Sequence, residues 1–142
     1  MFQGSWLKRP CPVTVGPHYE AEITGAYQLR DVRAALRSWL PAAADGGSNT
    51  TVLDGLLLAM DELAANGLRH GGLPVRVRAV LTTQCLLLEV SDADAHNGPK
   101  PAEGRDPALG GMGLHVVAYL SFARGWEVRG DRKHVWACLP ID

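Results

Sequence analysis

No stretch of this 142-residue chain approaches the ~20 consecutive apolar residues that a helix needs to cross a bilayer. The first ten residues mix Trp6 and Leu7 with Lys8 and Arg9 and lack the apolar core of a signal peptide or a lipidation motif, so the expected location is the cytoplasm. Charge of one sign is missing too. Fourteen Lys and Arg face fifteen Asp and Glu, a net charge of -1, which leaves no overall field to attract nucleic acid or an anionic membrane. An anionic ligand must therefore be held locally. Cysteine is sparse: Cys11, Cys85 and Cys138 are odd in number, far apart and without a CxxC pair, which argues against a disulfide framework and a zinc cluster. GxSxG and HExxH motifs are absent, and the five histidines lack ligand spacing. Apolar residues make up 46%, too many for a disordered chain, and the length suits one domain over residues 1–142 with its own core.

Alternation of Tyr19, Ala21 and Ile23 with His18, Glu20 and Glu22 predicts a strand over 18–24, after an N-terminal extension over 1–17. Val32, Leu36, Trp39 and Leu40 recur at helical spacing over 30–40, and Pro41 is expected to stop that helix. A second helix is expected to open at a capping box, Thr51 with Asp54, and to run to about Arg69 before Gly71-Gly72 ends it. Strands over 75–79 and 85–90 follow, close enough to pair as a hairpin. Residues 92–108 show no periodicity and contain three prolines. A third helix is expected over 112–124, then strands over 126–129 and 133–139 about a Gly130-Asp131-Arg132 turn. Two hairpins separated by a helix predict an α+β fold, a two-layer α/β sandwich whose mixed, mostly antiparallel sheet carries three main helices on one face.

Three places break the apolar pattern. Glu62 and Asn66 lie one helical turn apart, and Arg69 and His70 continue that face. Oxygens from Glu62 and Asn66 suit a hard cation such as magnesium, Glu62 alone suits a general base, and a plain solvated helix end accounts for the same residues. Asp92 follows an apolar strand; it suits the exocyclic amine of a ligand, and equally the start of a turn. Gly110-Gly111-Met112-Gly113-Leu114 precedes a helix, where backbone N–H groups and the helix dipole favour phosphate, although a flexible helix entry has the same composition. No Walker lysine follows, and Val116 stands where a dinucleotide fingerprint has its third glycine.

Taken in order, Glu62-x-x-x-Asn66 with His70-Gly71, then Asp92, then Gly111-x-Gly113-Leu114 resembles the N, G1 and G2 boxes of the gyrase and histidine-kinase-like ATPase superfamily. The resemblance covers residues 30–139. Within it, the run from Asp61 to Gly71 is most similar to the small bacterial anti-sigma-factor serine/threonine kinases, whose N-box is also followed by His-Gly. The resemblance implies ATP and Mg2+ as ligands. It implies that Glu62 is the catalytic base, that Asn66 holds the metal, and that Asn66, Arg69, Asp92, Gly111, Gly113 and Leu114 bind nucleotide, with an ATP lid over about 95–110. It further implies a protein kinase that phosphorylates an anti-sigma antagonist and sequesters a sigma factor, and points to a homodimer.

One departure stands out. The family's G1 box continues Asp-x-Gly-x-Gly, whereas Asp92-Ala93-Asp94-Ala95-His96 places a carboxylate and an imidazole at the expected glycines. That departure leaves a second reading open, a catalytically weak or inactive nucleotide-binding regulatory module that acts by partner binding alone. Met112 between the G2 glycines adds no basic side chain.

Overall fold

The computed structural model describes residues 6–46, 50–99 and 113–141. Five strands, β1 (His18–Ile23), β2 (Val75–Leu81), β3 (Leu86–Asp92), β4 (Ala123–Arg129) and β5 (Arg132–Leu139), form one sheet in the order β1-β2-β3-β5-β4. Every pairing between these strands is antiparallel, in keeping with a mostly antiparallel sheet, and a parallel bridge joins Lys8 to Trp126 at the β4 edge. The α+β architecture stands as expected, with α1 (Leu29–Ala43), α2 (Thr50–His70) and α3 (Gly113–Leu120) packed on the sheet.

The register explains how each strand divides its side chains. In β2, Val75, Val77 and Ala79 are buried toward the helices while Arg76 and Arg78 turn to the other face; in β5, Val135, Ala137 and Leu139 are the inward set. α1 buries Val32, Leu36 and Leu40 at a four-residue spacing, and α2 buries Val52, Leu56, Met60, Leu63 and Ala64. A fully buried side chain of this size contributes about 1.5–3 kcal/mol, so the α2 stripe is a main tie between helices and sheet. Among the described residues this core is continuous from Trp6 to Leu139.

Local signals misplace several boundaries. Pro41 lies inside α1, not after it. Its missing N–H forgoes one bond in the last turn, while neighbouring Leu40 is fully buried and keeps that turn on the core. Thr51 is in the first turn of α2, which begins at Thr50, so the Thr51–Asp54 pair is not the cap. α3 ends at Leu120, four residues earlier than the sequence suggests, and β4 begins at Ala123, three residues earlier. The change is forced at Ser121–Phe122, where the Ser121 amide still donates to the Val117 carbonyl (3.0 Å) but the Phe122 amide already donates to Cys138 on β5 (3.1 Å).

The N-terminal extension joins the fold. The Arg9 amide donates to the Trp126 carbonyl (2.8 Å) and the Trp126 amide to the Leu7 carbonyl (3.1 Å), which covers part of the otherwise open β4 edge. Trp6 enters the core on one side, while the Trp136 indole donates to the Arg9 carbonyl (3.0 Å) on the other. Cys11, Cys85 and Cys138, distant in sequence, share a small apolar cluster there with Leu87 and Trp136. All three are free thiols, and burial pushes Cys11 and Cys138 up to about 12, so both stay protonated and unreactive at neutral pH.

Candidate functional site

Asp92 ends β3 at an inward position, in line with Leu86, Leu88 and Val90, and is buried. Gly67 on α2 and Gly71 just past its end create the space for it. A Cβ on Gly67 would come within 3.7 Å of Asp92 Oδ2, and a Cβ on Gly71 would overlap the Asp92 carboxylate outright. The next pair is locked as well: the Ala93 amide donates to the Gly72 carbonyl at 2.8 Å, and a Gly72 Cβ would meet Ala93 Cβ at 2.8 Å. The Gly71-Gly72 pair that ends α2 therefore also seats the end of β3 beneath that helix.

Opposite Asp92 in the β3–β5 register is Lys133, whose Nζ lies 3.5 Å from Asp92 Oδ2; the two side chains are only 4% and 3% exposed. Lys133 Nζ also donates to the Asn97 carbonyl at 2.8 Å. Asp92 Oδ1 accepts from the Asp94 amide at 2.9 Å. Asp94 in turn closes a turn, accepting from the His96 amide (3.0 Å) and from the Asn97 side chain (3.1 Å). The His96 amide and the Asn97 carboxamide hold the Asp94 carboxyl below the usual range. The segment then reaches Trp126, where a Gly98 Cβ would stand 2.6 Å from the ring. Hydrogen bonds accepted by the Asp94 side chain thus shape the stretch where the G1 pattern has glycines.

Glu62 lies midway along α2 and meets the start of α3: a Cβ on Gly113 would overlap the Glu62 carboxylate. That carboxylate sits at the end of α3 where free N–H groups and the positive end of the dipole are found. Asn66 is one turn further along α2 and half-buried, Arg69 is exposed, and Leu114 is buried in the core behind Gly113. Gly111 and most of the expected lid, residues 100–110, lie outside the described residues. α2 is thus the common wall, touching α3 through Glu62 and the end of β3 through Gly67 and Gly71. Among the described residues no group of three or more His, Cys, Asp or Glu is placed to hold a metal, so protein oxygens here would be a partial set completed by other ligands.

Sequence reasoning missed Lys133. Its signal was parity: in β5 the residues at 133, 135, 137 and 139 all face the helices, and three of the four are apolar. A lysine in that series is an inward charge in need of a partner.

A depression of about 530 Å3 opens on the opposite face of the sheet, lined by Glu20, Glu22, Arg76, Arg78, Glu89 and His134 among others. Its charges are already paired. Arg76 meets Glu22 at 3.0 Å, Arg78 meets Glu89 at 3.3 Å, and Arg129 and His134 both meet Glu89 Oε2. Burial pushes the Glu89 carboxyl up, but the His134 hydrogen bond and the charges of Arg129, His134 and Arg78 outweigh it and hold the group below its ordinary value. None of the residues expected to carry chemistry lies there.

Residues 24–139 match the histidine kinase-like ATPase domain, and the chain belongs to that family. A crystal structure of the RsbU and RsbW domains of Rv1364c from Mycobacterium tuberculosis has a similar fold, with a TM-score of 0.59 and 20% identity. The likeness covers 87% of this chain but only 32% of that one. No curated protein matches. Among the described residues, no helix is long and apolar enough to cross a membrane.

Proposed function

We propose that this domain binds ATP with Mg2+ between α2, the end of β3 and the start of α3, and transfers the γ-phosphate to a serine or threonine of an anti-sigma antagonist while also sequestering a sigma factor. The observation that carries the reading is that one helix serves both ends of the site. Gly67 and Gly71 admit the buried Asp92, and Glu62 meets Gly113. From Glu62 to Gly71 the helix rises about 13 Å, a span that suits a nucleotide with its base at Asp92 and its phosphates at α3. Family membership supports ATP as the ligand. The antagonist and sigma factor rest on the likeness of the 61–71 run to anti-sigma-factor kinases, as do a cytoplasmic homodimer and a domain that fills residues 1–142.

Glu62 and Asn66 supply a carboxylate and an amide oxygen, hard donors that fit magnesium when phosphates and waters complete its shell. When bound, the metal supplies charge neutralisation at the phosphates. In this reading Asn66 holds it, Arg69 adds positive charge, and the backbone N–H groups at Gly111, Gly113 and Leu114 cradle the anion. Asp92 accepts a hydrogen bond from the 6-amino group of adenine. Glu62 takes the proton from the attacking hydroxyl. The hydroxyl oxygen bonds to the γ-phosphorus, the bond from that phosphorus to the bridging oxygen breaks, and ADP leaves with the electron pair. Positioning and charge stabilisation are sufficient for such a step.

A second reading, a regulatory module with weak or no transfer, draws on the Asp94 turn, which replaces glycine freedom with a fixed hydrogen-bonded loop. Single-turnover transfer from labelled ATP to a candidate antagonist separates the two. Kinase action predicts that Glu62→Ala slows transfer by about 100-fold or more, the usual range for a general base. Transfer by that variant at the wild-type rate would remove Glu62 as the base.

A further inference from the structure

We propose that residues 6–11 form a detachable strap whose docking on Trp126 is coupled to the nucleotide site, so that nucleotide tightens the strap and release of the strap weakens nucleotide binding. The inference rests on the nucleotide reading above and adds a means of regulating it.

Main-chain hydrogen bonds supply most of the strap's attachment. Beside the two bonds it exchanges with the Trp126 backbone, the Trp6 carbonyl accepts from the Trp126 indole at 3.0 Å, the Arg9 carbonyl accepts from the Trp136 indole at 3.0 Å, and the Cys11 amide donates to Glu127 Oε2 at 2.7 Å. Gly125 makes room for it, since a Cβ there would stand 3.1 Å from the Leu7 carbonyl oxygen. Leu7, Lys8, Arg9 and Pro10 are exposed, which leaves Trp6 and the half-buried Cys11 as its apolar anchors. The larger anchor is compromised. Among the described residues, the buried side-chain polar atoms without a hydrogen-bond partner are Trp6 Nε1 and Thr14 Oγ1, both in the N-terminal extension. An unpaired buried N–H costs about as much as the burial of one apolar side chain gains, so the docked and released states of the strap lie close in free energy. A segment held in this way opens locally, without unfolding of the whole domain.

Trp126 joins this strap to the loop after Asp92. Lys8 Nζ lies 5.3 Å from the centroid of the Trp126 ring, a cation–π contact, while Gly98 approaches the same ring so closely that a Cβ would stand 2.6 Å from it. Strap and loop thus share one side chain. The Asn97 carbonyl, next along the loop, accepts from Lys133 Nζ at 2.8 Å, and Lys133 is the buried counter-charge of Asp92. A continuous run of contacts therefore connects the strap to the carboxylate assigned to adenine above. Contacts alone do not make a coupling; the strap, docked or released, supplies the element with two states. Nucleotide that orders residues 93–98 fixes Gly98 against the ring that the strap also holds. Linkage makes the effect reciprocal: the factor by which nucleotide favours docking is the factor by which the docked strap favours nucleotide.

Amide hydrogen exchange of the full wild-type chain, with and without saturating Mg-ATP, tests this, with binding followed separately by calorimetry. Without nucleotide, the Arg9 and Trp126 amides should be at least about 10-fold less protected than those of Leu87 and Leu88 in the buried middle of β3. Mg-ATP should slow exchange at the two strap amides by about 5-fold or more, the range of a typical coupling. Strap amides as protected as those of β3 before nucleotide is added would overturn the detachable strap, and fast strap amides that bound Mg-ATP leaves unchanged would overturn the coupling. The reverse arm is Trp6→Ala, which removes an anchor outside the nucleotide site and should bind Mg-ATP about 5-fold or more weakly than wild type. Wild-type affinity in that variant overturns the proposal too. Should Trp6→Ala fail to fold, exchange in the wild type still decides. If the wild type binds no Mg-ATP at millimolar concentration, the nucleotide reading itself has failed, an outcome distinct from binding that leaves the strap untouched.

Discussion

Glu89 and Asp92 are two buried carboxylates on one strand, three residues apart and facing opposite sides of the sheet. Glu89 is saturated: Arg78, Arg129 and His134 all contact it, and its carboxyl is held below the ordinary range. Asp92 has one loosely placed cation and one backbone amide. The difference separates a carboxylate that organises a surface from one that retains capacity to bind. Burial alone does not distinguish them; the count of partners does. A visible concavity does not decide it either, because the depression on the Glu89 side is lined by groups that already satisfy each other.

The largest change should come from breaking the buried pair. Asp92→Asn keeps the side-chain volume but leaves the Lys133 ammonium without its counter-charge, and should lower unfolding free energy in urea by about 3–5 kcal/mol. A loss under ~1 kcal/mol would mean that Lys133 readily finds another partner, and the contrast between the two sites would weaken.

Glu89→Gln should cost less, about 1–2 kcal/mol, since Arg129 and Arg78 are half- and a third-exposed and solvent screens them. Its pH dependence sharpens the comparison. Because the folded Glu89 carboxyl titrates below its unfolded value, its contribution is complete above the unfolded value, near the ordinary carboxylate range, and is lost as pH falls through the folded one. The stability gap between wild type and Glu89→Gln should therefore hold at neutral pH and close in acid. A gap that widened on acidification would reverse the sign of the assignment. The smallest effect belongs to Arg76→Ala, whose ion pair with Glu22 is more than half exposed on both sides. Its change should stay within about 0.5 kcal/mol.

Much of this was legible in the sequence where side chains declare a period. The β2 alternation and the long apolar stripe of α2 read directly, and so did Gly71-Gly72 as a stop; its second use, seating the end of β3, did not. Pro41 misled because local chemistry disfavours proline in a helix, while the burial of Leu40, a tertiary effect, holds the last turn. The α3–β4 boundary was hidden for a similar reason, since residues 121–124 have no breaker and the switch is made by pairing with β5. Within the site, Glu62, Asn66 and Asp92 were accessible as motif residues. Lys133 was not, because a lone lysine in a hairpin strand looks like a surface charge until its parity is counted. The turn after Asp92 was legible as a departure from glycine but not as the hydrogen-bonded loop that Asp94 builds.

The most direct measurement is a calorimetric titration of Mg-ATP into wild type, Asp92→Asn and Glu89→Gln. The account predicts binding by the wild type, affinity within about twofold of it in Glu89→Gln, and a loss of at least ~10-fold in Asp92→Asn, the range of one charge-assisted hydrogen bond. Equal affinity in wild type and Asp92→Asn, or a loss confined to Glu89→Gln, would contradict it.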